Sequence, residues 1–152
     1  MKEKIIATNR QAHRDYTIFE TLECGIELKG PEVKSLREGK ANLKDSFARI
    51  EAGEVFLYNM HISPYEQAGI FNVEPRRVRR LLLHKREINR LTGKLVQRGF
   101  TFIPLKIYFK AGIAKVEVAL ARGKRLYDKR RQIKKKELDL EIKRALRVKR
   151  RG

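Results

Sequence analysis

The chain has 152 residues, 41% of them hydrophobic, and carries 37 Lys or Arg against 18 Asp or Glu, a formal charge of +19 at pH 7. That length and apolar content suit one hydrophobic core, and the cationic excess points to a polyanionic partner, nucleic acid first. Cys24 is the only cysteine, which excludes an intramolecular disulfide and a thiolate metal cluster, and His13, His61 and His84 lack metal-ligand spacing.

Met1 to Arg14 is polar and basic around the patch Ile5-Ile6-Ala7, which predicts one short strand and an irregular lead-in. Asp15 to Lys29 alternates: Tyr16, Ile18, Leu22, Cys24, Ile26 and Leu28 take one face, and Thr17, Thr21, Glu23, Glu27 and Lys29 the other. Phe19 and Glu20 interrupt the pattern, and Gly25 is the expected site of a bulge or bend. This is a long strand of the kind that wraps a small barrel.

Gly30-Pro31-Glu32 opens a helix, because proline fits the first turn, where its missing N–H has no partner to lose. Val33 and Leu36 share a face and Gly39 provides the stop, giving about two turns with Lys34, Arg37 and Lys40 near the outer side. Those three cations accompany an apolar anchor rather than an acidic row. They are therefore candidates for phosphate contacts, a solvated helix face being the other reading.

Leu43 to Tyr58 reads as a hairpin turning at Ala52-Gly53, with Ala48 and Ile50 on one face and Phe47, Arg49 and Glu51 on the other. Met60 to Glu74 is loop-like, and His61, Tyr65 and Phe71 are possible stacking groups within it. Leu81-Leu82-Leu83 reads as a short buried run. His84 and Glu87 have the spacing of a capping box, and Ile88, Leu91, Leu95 and Val96 follow helical spacing up to Gly99. From Phe100 to Ala121 a second long hairpin turns at Lys110-Ala111-Gly112. Its first strand places Ile103, Leu105, Ile107 and Phe109 on one face, and its second returns Val116, Val118 and Leu120.

The expected body, residues 1–121, is thus a mainly β, OB-like antiparallel barrel of about six strands with flanking helices. Such barrels commonly present one sheet face to nucleic acid. Residues 122–152 hold fifteen Lys or Arg against four Asp or Glu. They bury too little apolar surface to fold alone and read as a polyanion-binding arm. Leu138, Ile142, Ala145 and Leu146 would share a helical face, although Glu137 to Lys143 also alternates as a strand would. No phosphate-binding loop, dinucleotide fingerprint or nucleophile motif is found, so binding rather than catalysis is expected, with no cofactor. No apolar run approaches the ~18 residues of a spanning helix. With no signal or lipidation motif read either, the expectation is a cytoplasmic monomer without a membrane partner.

Several stretches together resemble the small protein B (SmpB) family, the protein partner of transfer-messenger RNA (tmRNA) in bacteria. They are Asn9-Arg10-x-Ala12-x-x-Asp15-Tyr16; Glu23-Cys24-Gly25-Ile26-x-Leu28; Gly30-x-Glu32-Val33-Lys34-Ser35-Leu36-Arg37-x-Gly39-Lys40-x-Asn42-Leu43-x-Asp45-Ser46; Arg80-Leu81-Leu82-Leu83; and Gly123-Lys124-x-x-Tyr127-Asp128-Lys129-Arg130. They occur in the expected order over nearly the whole chain.

The resemblance implies an OB-like barrel that binds the tRNA-like domain of tmRNA and delivers it to stalled ribosomes for trans-translation. It implies no enzymatic activity, with elongation factor Tu and GTP acting indirectly through aminoacylated tmRNA. It also implies a tail, disordered when free, that probes the empty message channel past the decoding centre and is helical there. Position by position, Glu23, Leu82 and Lys115 match body positions that bind the tRNA-like domain. Tyr127 matches a stacking position often occupied by histidine, so an aromatic face is kept but no imidazolium can form. Asp128, Lys129 and Arg130 match the tail motif that acts after tmRNA has bound, and Lys134, Leu138 and Leu146 are further tail candidates. The alternative is a ribosomal or nucleoid-associated protein that binds polyanions generically.

Overall fold

Period-two alternation generates most of this molecule. The computed structural model describes residues 3–96 and 99–124. In chain order they form β1 (Glu3–Thr8), α1 (Arg10–Asp15), β2 (Tyr16–Ile26), α2 (Gly30–Arg37), β3 (Ala41–Asn42), β4 (Phe47–Glu51), β5 (Glu54–Tyr58), β6 (His61–Ile62), a 3-10 turn (Glu66–Phe71), β7 (Arg79–Leu82), α3 (Lys85–Leu95), β8 (Phe100–Lys110) and β9 (Ile113–Gly123).

Seven of the strands make one antiparallel sheet in the order β1-β8-β4-β5-β7-β2-β9, and β9 pairs again with β8, so the sheet curls back on itself. Closure is incomplete: a single pair, Ala48↔Phe102, joins β4 to β8. The mainly β barrel with flanking helices is therefore present in a partly closed form. Both hairpins turn on Ala-Gly. Ala52 and Gly53 have φ of 51° and 76°, and Ala111 and Gly112 have 51° and 75°, the two left-handed residues that match a tight turn to strand twist.

The main core fills the curl with Val55, Leu57, Leu81, Phe102, Ile107, Val116, Val118 and Leu120, and α3 adds Leu91 from one side. Burying each such side chain is worth roughly 1.5–3 kcal/mol. Cys24 lies in this core, and loss of water around it pushes the thiol pKa up to about 12.

Several expectations need correction. The single face predicted for Ile103, Leu105, Ile107 and Phe109 is split, because the β8–β9 register shifts between Pro104 and Lys106. The extra residue flips the alternation. Ile107 and Phe109 enter the main core, while Ile103 and Leu105 join Ala119, Ala121 and Ala12 in a second, smaller cluster. That cluster lies beneath α1, a helix where an irregular lead-in was expected. Asn9 fixes α1 in place. Its Oδ1 accepts from the Ala12 amide at 3.3 Å and its Nδ2 donates to the Pro104 carbonyl at 3.0 Å, at the bulge itself.

The bulge in β2 lies between Ile18 and Glu20, not at Gly25, and the strand ends at Ile26. Phe19 is the displaced residue, and it meets Phe100 edge-on at 5.2 Å. His84 precedes α3, but its side chain makes no capping bond. Val96 lies past the helix, 81% exposed, rather than on its apolar face. β9 continues through Arg122, which pairs with Thr17 and Phe100, to Gly123.

α2 follows its expectation, and its anchor is polar. Glu32, 3% exposed, accepts from the Lys29 amide (2.9 Å), Arg77 Nη2 (2.6 Å) and Arg79 Nε (2.5 Å). Arg79, fully buried, also donates to the Met60 carbonyl at 2.6 Å and the Pro75 carbonyl at 2.9 Å. Two ion pairs of Glu32, with Arg77 and with Arg79, thus tie α2, β7 and the loop before β7 together.

Candidate nucleic-acid interface

The barrel's outer face begins from a parity argument. Cys24 and Ile26 point inward, so Gly25 and Glu23 point outward. Gly25 pairs with Leu82 of β7 on one side and with Lys115 of β9 on the other, and Lys115 pairs onward with Tyr108 of β8. Directly paired residues share a face, so Leu82, Gly25, Lys115 and Tyr108 form one row across four strands. Because Gly25 has no side chain, Leu82 leans into the space a β-carbon would take, and the row dips to a shallow notch at Gly25 between Leu82 and Lys115.

Glu23 borders the notch one step along β2. Its Oε2 accepts from the Tyr108 hydroxyl at 2.5 Å and lies 3.4 Å from Lys110 Nζ. These contacts leave Oε1 without a protein donor among the described residues. The Tyr108 hydrogen bond, followed by the Lys110 and Lys115 charges, holds the Glu23 carboxyl below the usual carboxylate range. Burial, then the Glu23 carboxylate, pushes the Tyr108 phenol well above its ordinary value. Tyr108 is buried on the outer face, with Lys106 Nζ over its ring, 4.9 Å from the centroid.

Charge around the notch is balanced. Lys106, Lys110 and Lys115 face Glu23, Glu117 and Glu3, and Lys106 Nζ sits 3.1 Å from Glu3 and 3.7 Å from Glu117. Lys115 forms no ion pair among the described residues. The chemistry offered is one free cation, one oriented carboxylate oxygen and one apolar side chain around the half-buried Gly25. Such a set reads shape and hydrogen-bonding edges rather than bulk negative charge.

Three residues far apart in sequence, Glu23, Leu82 and Lys115, are therefore brought together. Leu82 is 46% exposed, against the expectation of a buried Leu81-Leu82-Leu83 run; only Leu81 is fully buried. Lys34, Arg37 and Lys40 form a separate group on and after α2. Lys34 Nζ stands 5.5 Å from the Tyr65 ring, Arg37 is exposed, and Lys40 lies beyond the helix, 3.2 Å from Glu38. Tyr127, Asp128, Lys129, Arg130, Lys134, Leu138 and Leu146 lie outside the described residues.

Sequence reasoning missed Tyr108 and the role of Gly25. Tyr108 alternates with Lys106 and Lys110, which marks it as outward-facing, but its bond to Glu23 spans 85 residues and leaves no local signature. Among the described residues no helix is long and apolar enough to cross a membrane, and no cluster of three metal-ligating side chains occurs.

Comparison with known proteins bears on the chain as a whole. The chain is similar to the SsrA-binding protein of Caldicellulosiruptor bescii, 66% identical over 143 residues covering 94% of this chain and 90% of the relative. It is similar to the SsrA-binding protein of Carboxydothermus hydrogenoformans at 60% identity over 146 residues, covering 96% and 98%. A solved structure described as tmRNA-SmpB on a journey to the center of the bacterial ribosome has a TM-score of 0.66. It is 58% identical, over 78% of this chain and 83% of that one. The family model for SmpB protein matches residues 6–148, nearly the whole length, and the chain belongs to that family.

Proposed function

We propose that this protein binds the tRNA-like domain of tmRNA and carries it to stalled ribosomes in trans-translation, acting in the cytoplasm as an adaptor and not as an enzyme. The observation that carries the reading is the convergence of Glu23, Leu82 and Lys115 around the Gly25 notch. Lys115 supplies a phosphate contact, and Glu23 Oε1 accepts from a base edge or a ribose 2′-hydroxyl. Leu82 packs against an unstacked base. Lys34, Arg37 and Lys40 extend the phosphate contacts from α2.

Residues 1–121 and 122–152 divide the work. The body recognises RNA, and the tail enters the empty message channel. A groove already filled by messenger RNA excludes a cationic tail, so entry itself reports vacancy. Tyr127 supplies the aromatic face at the decoding centre. Asp128, Lys129, Arg130, Lys134, Leu138 and Leu146 act after RNA binding, with the tail helical on the ribosome. Elongation factor Tu with GTP joins through the aminoacylated RNA.

The test is binding of the full chain to the tRNA-like domain in excess ordinary tRNA at near-physiological salt. Selective, salt-tolerant binding is expected. Equal binding to both RNAs that collapses as salt rises would overturn this reading in favour of a generic polyanion binder, the class that +19 of net charge alone suggests.

A further inference from the structure

Two of the three most exposed large apolar side chains among the described residues are adjacent: Ile70 at 93% and Phe71 at 76%. Such exposure ordinarily marks a floppy loop tip, but this loop is clasped. Asn72 Oδ1 accepts from the Tyr65 amide at 2.9 Å, and Asn72 Nδ2 donates to the Tyr65 carbonyl at 2.8 Å and the Gly69 carbonyl at 3.2 Å. A single side chain thus closes the turn onto itself. Gly69 takes φ 51° and ψ −116°, a conformation open to glycine, and the kink lies directly before Ile70.

The ends of the loop are tied as well. Ser35 Oγ of α2 donates to the Ser63 carbonyl at 2.6 Å, and buried Arg79 donates to the Pro75 carbonyl at 2.9 Å. Two large apolar groups are therefore held out in water by a rigid frame, at a standing free-energy cost that a monomer gains nothing from. Beside them, α2 presents Lys34 against the Tyr65 ring, with Arg37 a turn further on. Neither cation is in an ion pair among the described residues, and Glu66 is the only carboxylate between Tyr65 and Asn72. An apolar aromatic tip flanked by unneutralised cations matches an unstacked base between phosphates better than it matches an apolar protein surface.

Continuity with the notch identifies which RNA. β7 carries Leu82 at one end and Arg79, the anchor of this loop and of α2, at the other, roughly 10 Å apart along an extended strand. We propose that Phe71, supported by Ile70, stacks on an unpaired nucleotide of the same tRNA-like RNA that the notch binds, with Lys34 and Arg37 taking the adjacent phosphates. This rests on the RNA-binding function proposed above and adds a second contact area to it.

The chain contains no tryptophan, so Phe71→Trp creates a single tryptophan at the tip, excited at the red edge where the five tyrosines do not absorb. The full-length variant is titrated with the tRNA-like domain while binding is followed independently by mobility shift. Expected are quenching that saturates with binding, and a Phe71→Ala affinity loss of roughly fivefold to a hundredfold, the range for one stacked base. Unchanged emission across a titration that saturates by mobility shift would overturn the proposal, as would Phe71→Ala binding within twofold of the parent. Weakened ribosome engagement with intact RNA affinity would also overturn it and assign the tip another partner. If the parent chain itself fails to bind selectively, the RNA-binding function falls first, and that result is read before any variant is compared.

Discussion

Gly25 and Leu82 are cross-strand partners, and a β-carbon built on Gly25 would lie 3.1 Å from the Leu82 β-carbon. That is closer than packed carbons sit, and a β-carbon cannot swing away as the end of a long side chain can. The notch between β7 and β9 therefore favours glycine, because a methyl group there would have to push Leu82 back by a few tenths of an ångström. Gly25→Ala is expected to lower stability by about 1 kcal/mol through overpacking. It should also displace Leu82 from the place proposed for it beside the RNA. Combined with Leu82→Ala, the two losses in RNA affinity should be clearly less than additive, because both act on one side chain. Additive losses, or an unchanged melting temperature for Gly25→Ala, would separate the two residues and remove the notch as a unit.

Tyr108 orients Glu23, and the pH dependence of that bond has a definite sign. The folded-state pKa of Glu23 is depressed, so the linked stability is fully present above the ordinary carboxylate value and is lost as pH falls through the lower folded value. Tyr108→Phe removes the first cause of that depression. Its expected cost is about 1 kcal/mol near neutrality, modest because Glu23 is partly exposed. The difference from the parent should shrink on acidification below about pH 4.5. A carboxyl carbon titration by NMR should show the Glu23 midpoint moving up in the variant. A midpoint that stays in place would mean that Lys110 and Lys115, not Tyr108, set the carboxylate.

Local pattern carried the long strands, both Ala-Gly turns and the helix opened by Pro31, because each depends on residues a few positions apart. What stayed illegible depended on distant partners. α1 presents one buried apolar residue, Ala12, and owes its position to Asn9 bonding Pro104, 95 residues away. The bulge at Leu105 is invisible because Phe102 to Leu105 is apolar at every position, so alternation cannot say where the phase changes before Lys106. Leu82 looked buried for the same reason, since a Leu triplet has no phase. Resemblance brings Glu23, Leu82 and Lys115 forward, and only the register explains why they belong together: each borders Gly25, where the sequence predicts a bulge or bend.

Glu32 is the acid-sensitive joint of the α2 end. Burial works to raise its pKa, but the Arg77 and Lys29 hydrogen bonds and the Arg79 charge outweigh it and leave the carboxyl depressed. Glu32→Ala strands the fully buried Arg79 guanidinium and should cost about 3–5 kcal/mol, enough to endanger folding. Glu32→Gln keeps hydrogen-bonding capacity without charge and provides the cleaner measurement. Its stability loss should be smaller, and its stability should vary less than the parent's as pH drops below about 4.5, because the group that titrates is gone. Equal acid dependence in the parent and Glu32→Gln would place the acid-sensitive joint elsewhere.

Lys115 and Leu82 occupy opposite walls of one notch and should fail in different ways. A lysine on a phosphate releases a bound counterion, so Lys115→Ala should weaken RNA binding and make the slope of log affinity against log salt shallower by roughly 0.7–0.9. Because phosphates are common to all RNA, that variant should lose affinity for the tRNA-like domain and for ordinary tRNA by similar factors. Leu82→Ala removes apolar contact and no charge. It should leave the salt slope unchanged while weakening the tRNA-like domain more than ordinary tRNA, which narrows the selectivity ratio. Side-by-side salt titrations of the two variants on both RNAs decide the matter. A slope change in Leu82→Ala, or a selectivity loss confined to Lys115→Ala, would reverse the roles given to the two walls. The cation would then be the group that reads the RNA's identity, and the leucine a support for the strand beneath it.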